Sequence, residues 1–115
     1  MTKIFLVDDH RIFRESFSLL LTQEKIGHII AEASNGAEFL EKLDQNMPDL
    51  VFMDILMPVM DGMEATKRAI EKYPDLRVIA LTSSDDEKYY HKMVASGVKG
   101  FVLKNSGILE IELAI

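Results

Sequence analysis

Five short and nearly unbroken apolar runs alternate with segments of helical period along this chain, and that alternation leaves few folds open. The runs are Ile4 to Val7, Ile29 to Ala31, Leu50 to Met53, Val78 to Leu81 and Phe101 to Leu103. Continuous apolarity, rather than strict alternation, is what a strand needs when helices cover both faces of a parallel sheet. Between the runs, Phe13, Phe17, Leu20 and Leu21 share one helical face, and Ala37, Leu40 and Leu43 repeat every third residue. Thr66, Ala69 and Ile70 form another stripe, and Tyr90, Met93, Val94 and Gly97 continue the pattern. Turn signals fall at Asn35-Gly36, Asp61-Gly62, Pro74-Asp75 and Ser96-Gly97. Strand then helix, five times over, requires right-handed crossovers and predicts an α/β fold with a parallel sheet between two helical layers.

A chain of 115 residues that is 48% hydrophobic suits one domain with a sizeable core. Its formal charge of -6 argues against a basic nucleic-acid footprint and against a polybasic membrane anchor. Absence of cysteine excludes a disulfide scaffold and a thiolate metal site. The opening apolar run is too short for a signal peptide and no segment reaches transmembrane length, so a cytoplasmic location is expected. The last segment, Ser106 to Ile115, starts helically with Ser106 as N-cap. It finishes on Leu113-Ala114-Ile115 without a stop signal. The expectation is a final helix that is cut short, in a chain that forms the first domain of a longer protein.

In a parallel sheet all strand ends point one way, and ligands of open α/β folds bind at that edge. Asp8 and Asp9 follow the first run, Asp54 the third, Thr82 the fourth and Lys104 the fifth. Three carboxylates at one edge repel and raise one another's pKa unless a cation offsets them; oxygen ligands without His or Cys spacing favour Mg²⁺. Each residue also has a plainer reading. Asp8 and Asp9 could cap the first helix, Thr82 could end its strand as a β-branched residue or cap a helix, and Lys104 could be a solvated surface lysine. His10, His28 and His91 lack a shared ligand spacing, so surface or capping roles are expected for them. Packing is expected of Met53, Met57, Met60 and Met63, and a turn role of Gly62.

Phe5-Leu6-Val7-Asp8-Asp9-His10, Asp54-Ile55-Leu56-Met57-Pro58 with Met60-Asp61-Gly62, Leu81-Thr82-Ser83 and Phe101-Val102-Leu103-Lys104 occur in this order. Together they resemble the receiver domain of two-component response regulators, of the NarL/FixJ-like kind, over residues 1–115. The resemblance implies a flavodoxin-like (βα)5 doubly wound sandwich with strands in the order 2-1-3-4-5. It implies that Asp54 accepts a phosphoryl group from a sensor histidine kinase. Asp8, Asp9, Asp54 and the backbone carbonyl of Leu56 would hold Mg²⁺, with Asp8 acting directly or through water. Thr82 would bind a phosphoryl oxygen and Lys104 would pair with Asp54 or the phosphoryl group.

For Phe101 the resemblance suggests an aromatic switch that swings inward, against the alternative of a core phenylalanine. Leu56 and Ser84 occupy positions that influence phosphoryl lifetime in such domains. Asn105 stands where many receivers carry proline after a cis peptide, a bond that would cost about 2.5 to 4 kcal/mol before a non-proline residue. The NarL/FixJ-like opening also implies a C-terminal helix-turn-helix output domain beyond this chain, through which alone DNA would be bound, and a possible homodimer.

Two other classes compete. A Mg²⁺-dependent phosphohydrolase could use the same acids, but such nucleophilic-aspartate enzymes carry a second aspartate two residues after the first, where this chain has Leu56. A phosphorylation-independent interaction module would have no need of the full set of motifs.

Overall fold

The computed structural model describes residues 1–105 and 108–115, and all of their side chains except those of residues 84, 85, 108 and 109. The expected N-cap Ser106 and the side chain of Ser84 lie outside that description. Strands β1 (Lys3–Val7), β2 (His28–Ala33), β3 (Leu50–Asp54), β4 (Val78–Thr82) and β5 (Gly100–Leu103) alternate with helices α1 (Arg11–Gln23), α2 (Gly36–Leu43), α3 (Gly62–Lys72), α4 (Tyr90–Ser96) and α5 (Ile108–Ala114). A 3-10 turn over Ser84–Tyr89 leads into α4. All strand pairs are parallel, in the order β2-β1-β3-β4-β5.

Because side chains of a strand alternate between faces, each central strand feeds two cores. Phe5, Val7, Val51, Met53 and Val78 pack with Phe39 and Leu43 of α2 and Ala65 and Ala69 of α3. Ile4, Leu6, Leu50, Phe52, Ile79 and Leu81 pack with Phe17 and Leu21 of α1 and Ile111 of α5. Burial of each large apolar side chain contributes roughly 1.5–3 kcal/mol, so the two layers clamp the sheet from both sides. β3 and β4 are buried along their whole length, whereas the edge strands β2 and β5 are not.

Several expectations shift in detail. Asp54 is the last residue of β3 rather than the first beyond it, while Thr82 ends β4, as one of its plainer readings has it. In α2 the buried stripe is Gly36, Phe39 and Leu43, so the expected Ala37 and Leu40 only flank it. Val94 points outward and is 60% exposed, leaving Met93 as the buried anchor of α4. Asn35-Gly36 and Asp61-Gly62 start helices: the Asn35 side chain accepts the Glu38 N–H at 2.8 Å and Asp61 accepts that of Glu64 at 2.9 Å. Gly97 ends α4 at φ 108°, a left-handed conformation that glycine adopts without strain. No helix among the described residues is long and apolar enough to cross a membrane.

Candidate functional site

The C-terminal ends of β1, β3, β4 and β5 bring the five expected residues to one edge. Asp8 continues the sheet one step beyond β1, donating its N–H to the Ala33 carbonyl at 3.0 Å, and its side chain is fully buried. Its Oδ1 accepts the His10 backbone N–H at 2.7 Å, while its Oδ2 lies 2.7 Å from the Lys104 ammonium. Lys104 also reaches Asp54 Oδ2 at 3.3 Å and sits 5.0 Å from the centre of the Phe13 ring. Its backbone N–H donates to the Thr82 carbonyl at 2.7 Å, extending the β4–β5 ladder and fixing where the ammonium can go.

Burial and the nearby Asp8 charge push Asp54 up to about 7, against the opposing pull of Lys104 and of the Ile55 N–H that donates to its Oδ1. Burial alone would lower the Lys104 pKa, but Asp8 and Asp54 hold it above its ordinary value. One ammonium therefore reaches two of the three carboxylates, Asp8 and Asp54, and a cationic deficit remains.

The donor set fits a hard divalent cation. Ligand atoms from Asp8, Asp9, His10 and Asp54 all lie within 4.8 Å of one another. Asp9 Oδ1 is buried without a hydrogen-bond partner, and Asp8 Oδ2 meets Lys104 as an ion pair without hydrogen-bond alignment. Buried oxygens left in this state are costly in a finished protein and are what a Mg²⁺ ion with its waters would satisfy. Leu56, whose carbonyl is the remaining expected ligand, lies in the bend that leaves β3.

Geometry decides some of the plainer readings. Neither aspartate caps α1: the N-cap is His10, which makes no side-chain cap bond. His10 is exposed, as expected, but its Nδ1 stands 3.2 Å from Asp8 Oδ1 and 3.3 Å from Asp9 Oδ1, so its ring borders the acid cluster. Its place next to Asp9 in the chain was the available signal. His28 and His91 are exposed and outside the cluster.

Lys104 is mostly buried and is not a solvated surface lysine. Thr82 is fully buried, with its hydroxyl directed to the Val102 carbonyl at 3.5 Å. Phe101 is 39% exposed, its ring 4.9 Å from that of Tyr90 between centres, which excludes the reading as a core phenylalanine. The Lys104–Asn105 peptide is trans, as is every described peptide bond.

The loop after Asp54 folds back on its own strand. Gly62 donates its N–H to the Ile55 carbonyl at 2.7 Å, and a Cβ there would stand 1.9 Å from the Asp54 carbonyl oxygen. Gly62 is thus demanded by close backbone approach beneath the acid, beyond its place in a turn. Met53 is buried, and Met57, Met60 and Met63 pack against the cores, as expected of them. Val59, at the tip of this loop, adopts φ 69°, a conformation rare for a β-branched residue.

Comparisons with known proteins agree with this arrangement. The sequence profile described as response regulator receiver domain matches residues 4–115. The oxygen regulatory protein NreC of Staphylococcus epidermidis is 36% identical over 114 residues, covering 98% of this chain and 52% of NreC. The transcriptional regulatory protein DegU of Brevibacillus brevis is 36% identical over 102 residues, covering 89% of this chain and 43% of DegU. The chain thus spans about half the length of the curated relatives it matches. Among solved structures, the signal receiver domain of NarL from Mycobacterium tuberculosis superimposes with a TM-score of 0.87 at 31% identity, covering 98% of this chain and 91% of that one. A LuxR-family DNA-binding response regulator from Staphylococcus aureus gives a TM-score of 0.89 at 26% identity, covering 99% and 95%.

Proposed function

This chain belongs to the family of response regulator receiver domains, and from that premise we propose that Asp54 is its phosphoacceptor. A carboxylate oxygen of Asp54 attacks phosphorus, the bond from phosphorus to the donor nitrogen of a histidine kinase phosphohistidine breaks, and its electron pair returns to the imidazole. The product is an acyl phosphate on Asp54. The observation that carries this reading is the buried carboxylate at the end of β3, held against Lys104 in an acid cluster.

Asp8, Asp9, Asp54 and the Leu56 carbonyl would hold Mg²⁺, whose bound charge offsets that of the phosphoryl oxygens. Phosphoryl transfer needs positioning and charge neutralisation more than covalent chemistry from the protein. Lys104 supplies a fixed positive charge to the phosphoryl group and, before transfer, favours the ionised form of Asp54. The Thr82 hydroxyl exchanges its long contact with Val102 for a phosphoryl oxygen, drawing the end of β4 toward Asp54. Phosphorylation adds charge and strong acceptors, which is the bias such a loop responds to.

Phe101 then leaves Tyr90 and turns inward. The cavity behind Asp54, lined by Met63, Thr66, Ala80 and Met93, measures only about 10 Å³. A phenyl ring does not fit this space as it stands, so inward rotation of Phe101 toward it would require the lining residues, Met93 of α4 among them, to move. In this reading the changed surface near α4 and β5 controls a homodimer or an output domain. The coverage of about half of NreC and DegU supports a further, output domain in the full protein; the NarL/FixJ-like resemblance suggests that it lies C-terminal to this one and binds DNA through a helix-turn-helix to regulate transcription.

Incubation with acetyl phosphate and Mg²⁺, resolved on a phosphate-affinity gel, should retard the wild-type protein and leave Asp54→Asn unmoved. A wild type without the shift, in the presence of a working positive control, overturns the assignment.

A further inference from the structure

One charged side chain beside the acid cluster has no part in the mechanism above. Arg14, on α1, is only 18% exposed, an unusual depth for a guanidinium without a partner to hold it there. Its Nη1 donates to the main-chain carbonyl of Asp8 at 2.5 Å, and its Nε donates to Glu32 of β2 at 3.2 Å. Among the described residues Glu32 is its ion-pair partner, and the carboxylates of Asp8 and Asp9 are not.

Asp8 is buried, so its carbonyl oxygen has to be bonded within the protein. The ladder to β2 fixes the Asp8 N–H, and Arg14 fixes the carbonyl. Both ends of the residue are thereby held, and with them the plane of the peptide that joins Asp8 to Asp9. Rotation of that plane would carry Asp9, whose buried Oδ1 makes no hydrogen bond and has only the His10 ring at 3.3 Å, away from Asp8 and Asp54.

We infer that Arg14, clamped by Glu32, is a positioning residue for the cation site: it locks the Asp8–Asp9 peptide so that both carboxylates face Asp54. This rests on the reading that those acids hold Mg²⁺. The planar fork of arginine reaches the carbonyl and Glu32 together, whereas lysine offers a point charge that can serve one of them well. Glu32 has a second task, because a guanidinium free of it would swing toward the carboxylates and compete with the cation.

Mg²⁺ titrations of wild type, Arg14→Ala, Arg14→Lys and Glu32→Gln, followed through the backbone amide NMR signals of residues 8 to 14 and 54, test the role. Groups that orient metal ligands typically change metal affinity 10- to 100-fold, so Arg14→Ala should weaken the Mg²⁺ Kd by about 10-fold. Arg14→Lys should recover part of that loss, and Glu32→Gln should lose less than Arg14→Ala. At saturating Mg²⁺ the rate of phosphorylation by acetyl phosphate should stay within about 2-fold of wild type, separating affinity from chemistry. A purely structural arginine would instead lower the melting temperature of the metal-free protein and leave the Kd of the folded fraction unchanged, and that result sinks the proposal. If Arg14→Ala does not fold, unchanged affinity in both Arg14→Lys and Glu32→Gln sinks it equally. A wild type whose amides ignore Mg²⁺ removes the metal reading itself, and the role of Arg14 with it.

Discussion

Asp54 and Asp44 occupy opposite edges of the sheet and opposite electrostatic states. Asp44, at the C-terminal end of α2, lies in solvent with Lys72 Nζ at 2.8 Å from its Oδ2 and the Tyr73 hydroxyl donating to its Oδ1. The hydrogen bonds from Lys72 and then Tyr73 hold its pKa below the usual value. Asp54 is buried, shares one lysine with Asp8, and has its pKa pushed up to about 7 by burial and then by Asp8. An exposed acid is satisfied by flexible neighbours and by water. A buried acid can draw only on what the sheet edge provides, and here that provision falls short by the charge of a cation.

Removal of Lys104 should give the largest effect on this contrast. Breaking a buried pair by deleting one partner typically costs about 3–5 kcal/mol. The Lys104 side chain is 20% exposed and Asp54 can take up a proton, so Lys104→Met should cost about 2–3 kcal/mol at pH 8 in the absence of metal. The loss should shrink at pH 5, where Asp54 is already protonated. Urea midpoints at the two pH values measure both figures, and equal losses at both would mean that Lys104 acts through its pair with Asp8 and not through Asp54.

Asp54→Asn should act in the other direction. An acid whose pKa is raised on folding from 3.8 to about 7 makes the folded state hold its proton more tightly than the unfolded one. Stability is therefore lost as pH rises through that window, and the penalty is complete above it. After allowance for water at the mouth of the site, Asp54→Asn should stabilise the metal-free domain by about 2 kcal/mol at pH 8 and change little at pH 4. Saturating Mg²⁺ should narrow the difference. A variant less stable than wild type at pH 8 would mean that Asp54 is already fully compensated.

The strand-end acids were legible in the sequence because topology alone gathers them: once strands alternate with helices, the last residues of the strands share an edge. What surrounds them was less legible. Three-residue periodicity in α2 singled out Ala37 and Leu40, but the choice between stripes was made by the fit of Phe39 against Phe5, 5.0 Å between ring centres. Gly62 reads as a turn glycine until the Asp54 carbonyl is placed above it. Phe101 belongs to an apolar run, yet an edge strand covered on one side leaves its ring to Tyr90. Arg14 carried no motif, since its partners, a main-chain carbonyl and a residue of β2, meet only in the folded chain.

A smaller effect is expected from the loop between the two environments. Val59 holds φ 69° while 84% exposed, so its side chain gains little packing in return for a conformation that costs L-residues roughly 1–2 kcal/mol. Glycine removes that strain but loses about 0.5–1 kcal/mol to the freedom of the unfolded chain. Val59→Gly should thus stabilise the domain by about 0.5–1 kcal/mol in a denaturant titration. A destabilised variant would mean that the valine side chain packs where the structure leaves it in water.

Asp44→Asn should do least of all, although Asp44 has an ammonium to itself where Asp54 shares one with Asp8. Exposed ion pairs are screened and give up side-chain freedom when they form, so the denaturation midpoint at pH 7 should be indistinguishable from wild type. The sign is fixed even so. A carboxylate whose pKa is lowered on folding contributes stability above its unfolded value of 3.8 and loses it as pH falls through the folded value. Any loss in Asp44→Asn must therefore appear at neutral pH and vanish in acid, whereas the change in Asp54→Asn is a gain that appears as pH rises. A loss at pH 7 as large as that of Lys104→Met would show that burial does not separate the two aspartates, and the contrast between the sheet's two edges would fall with it.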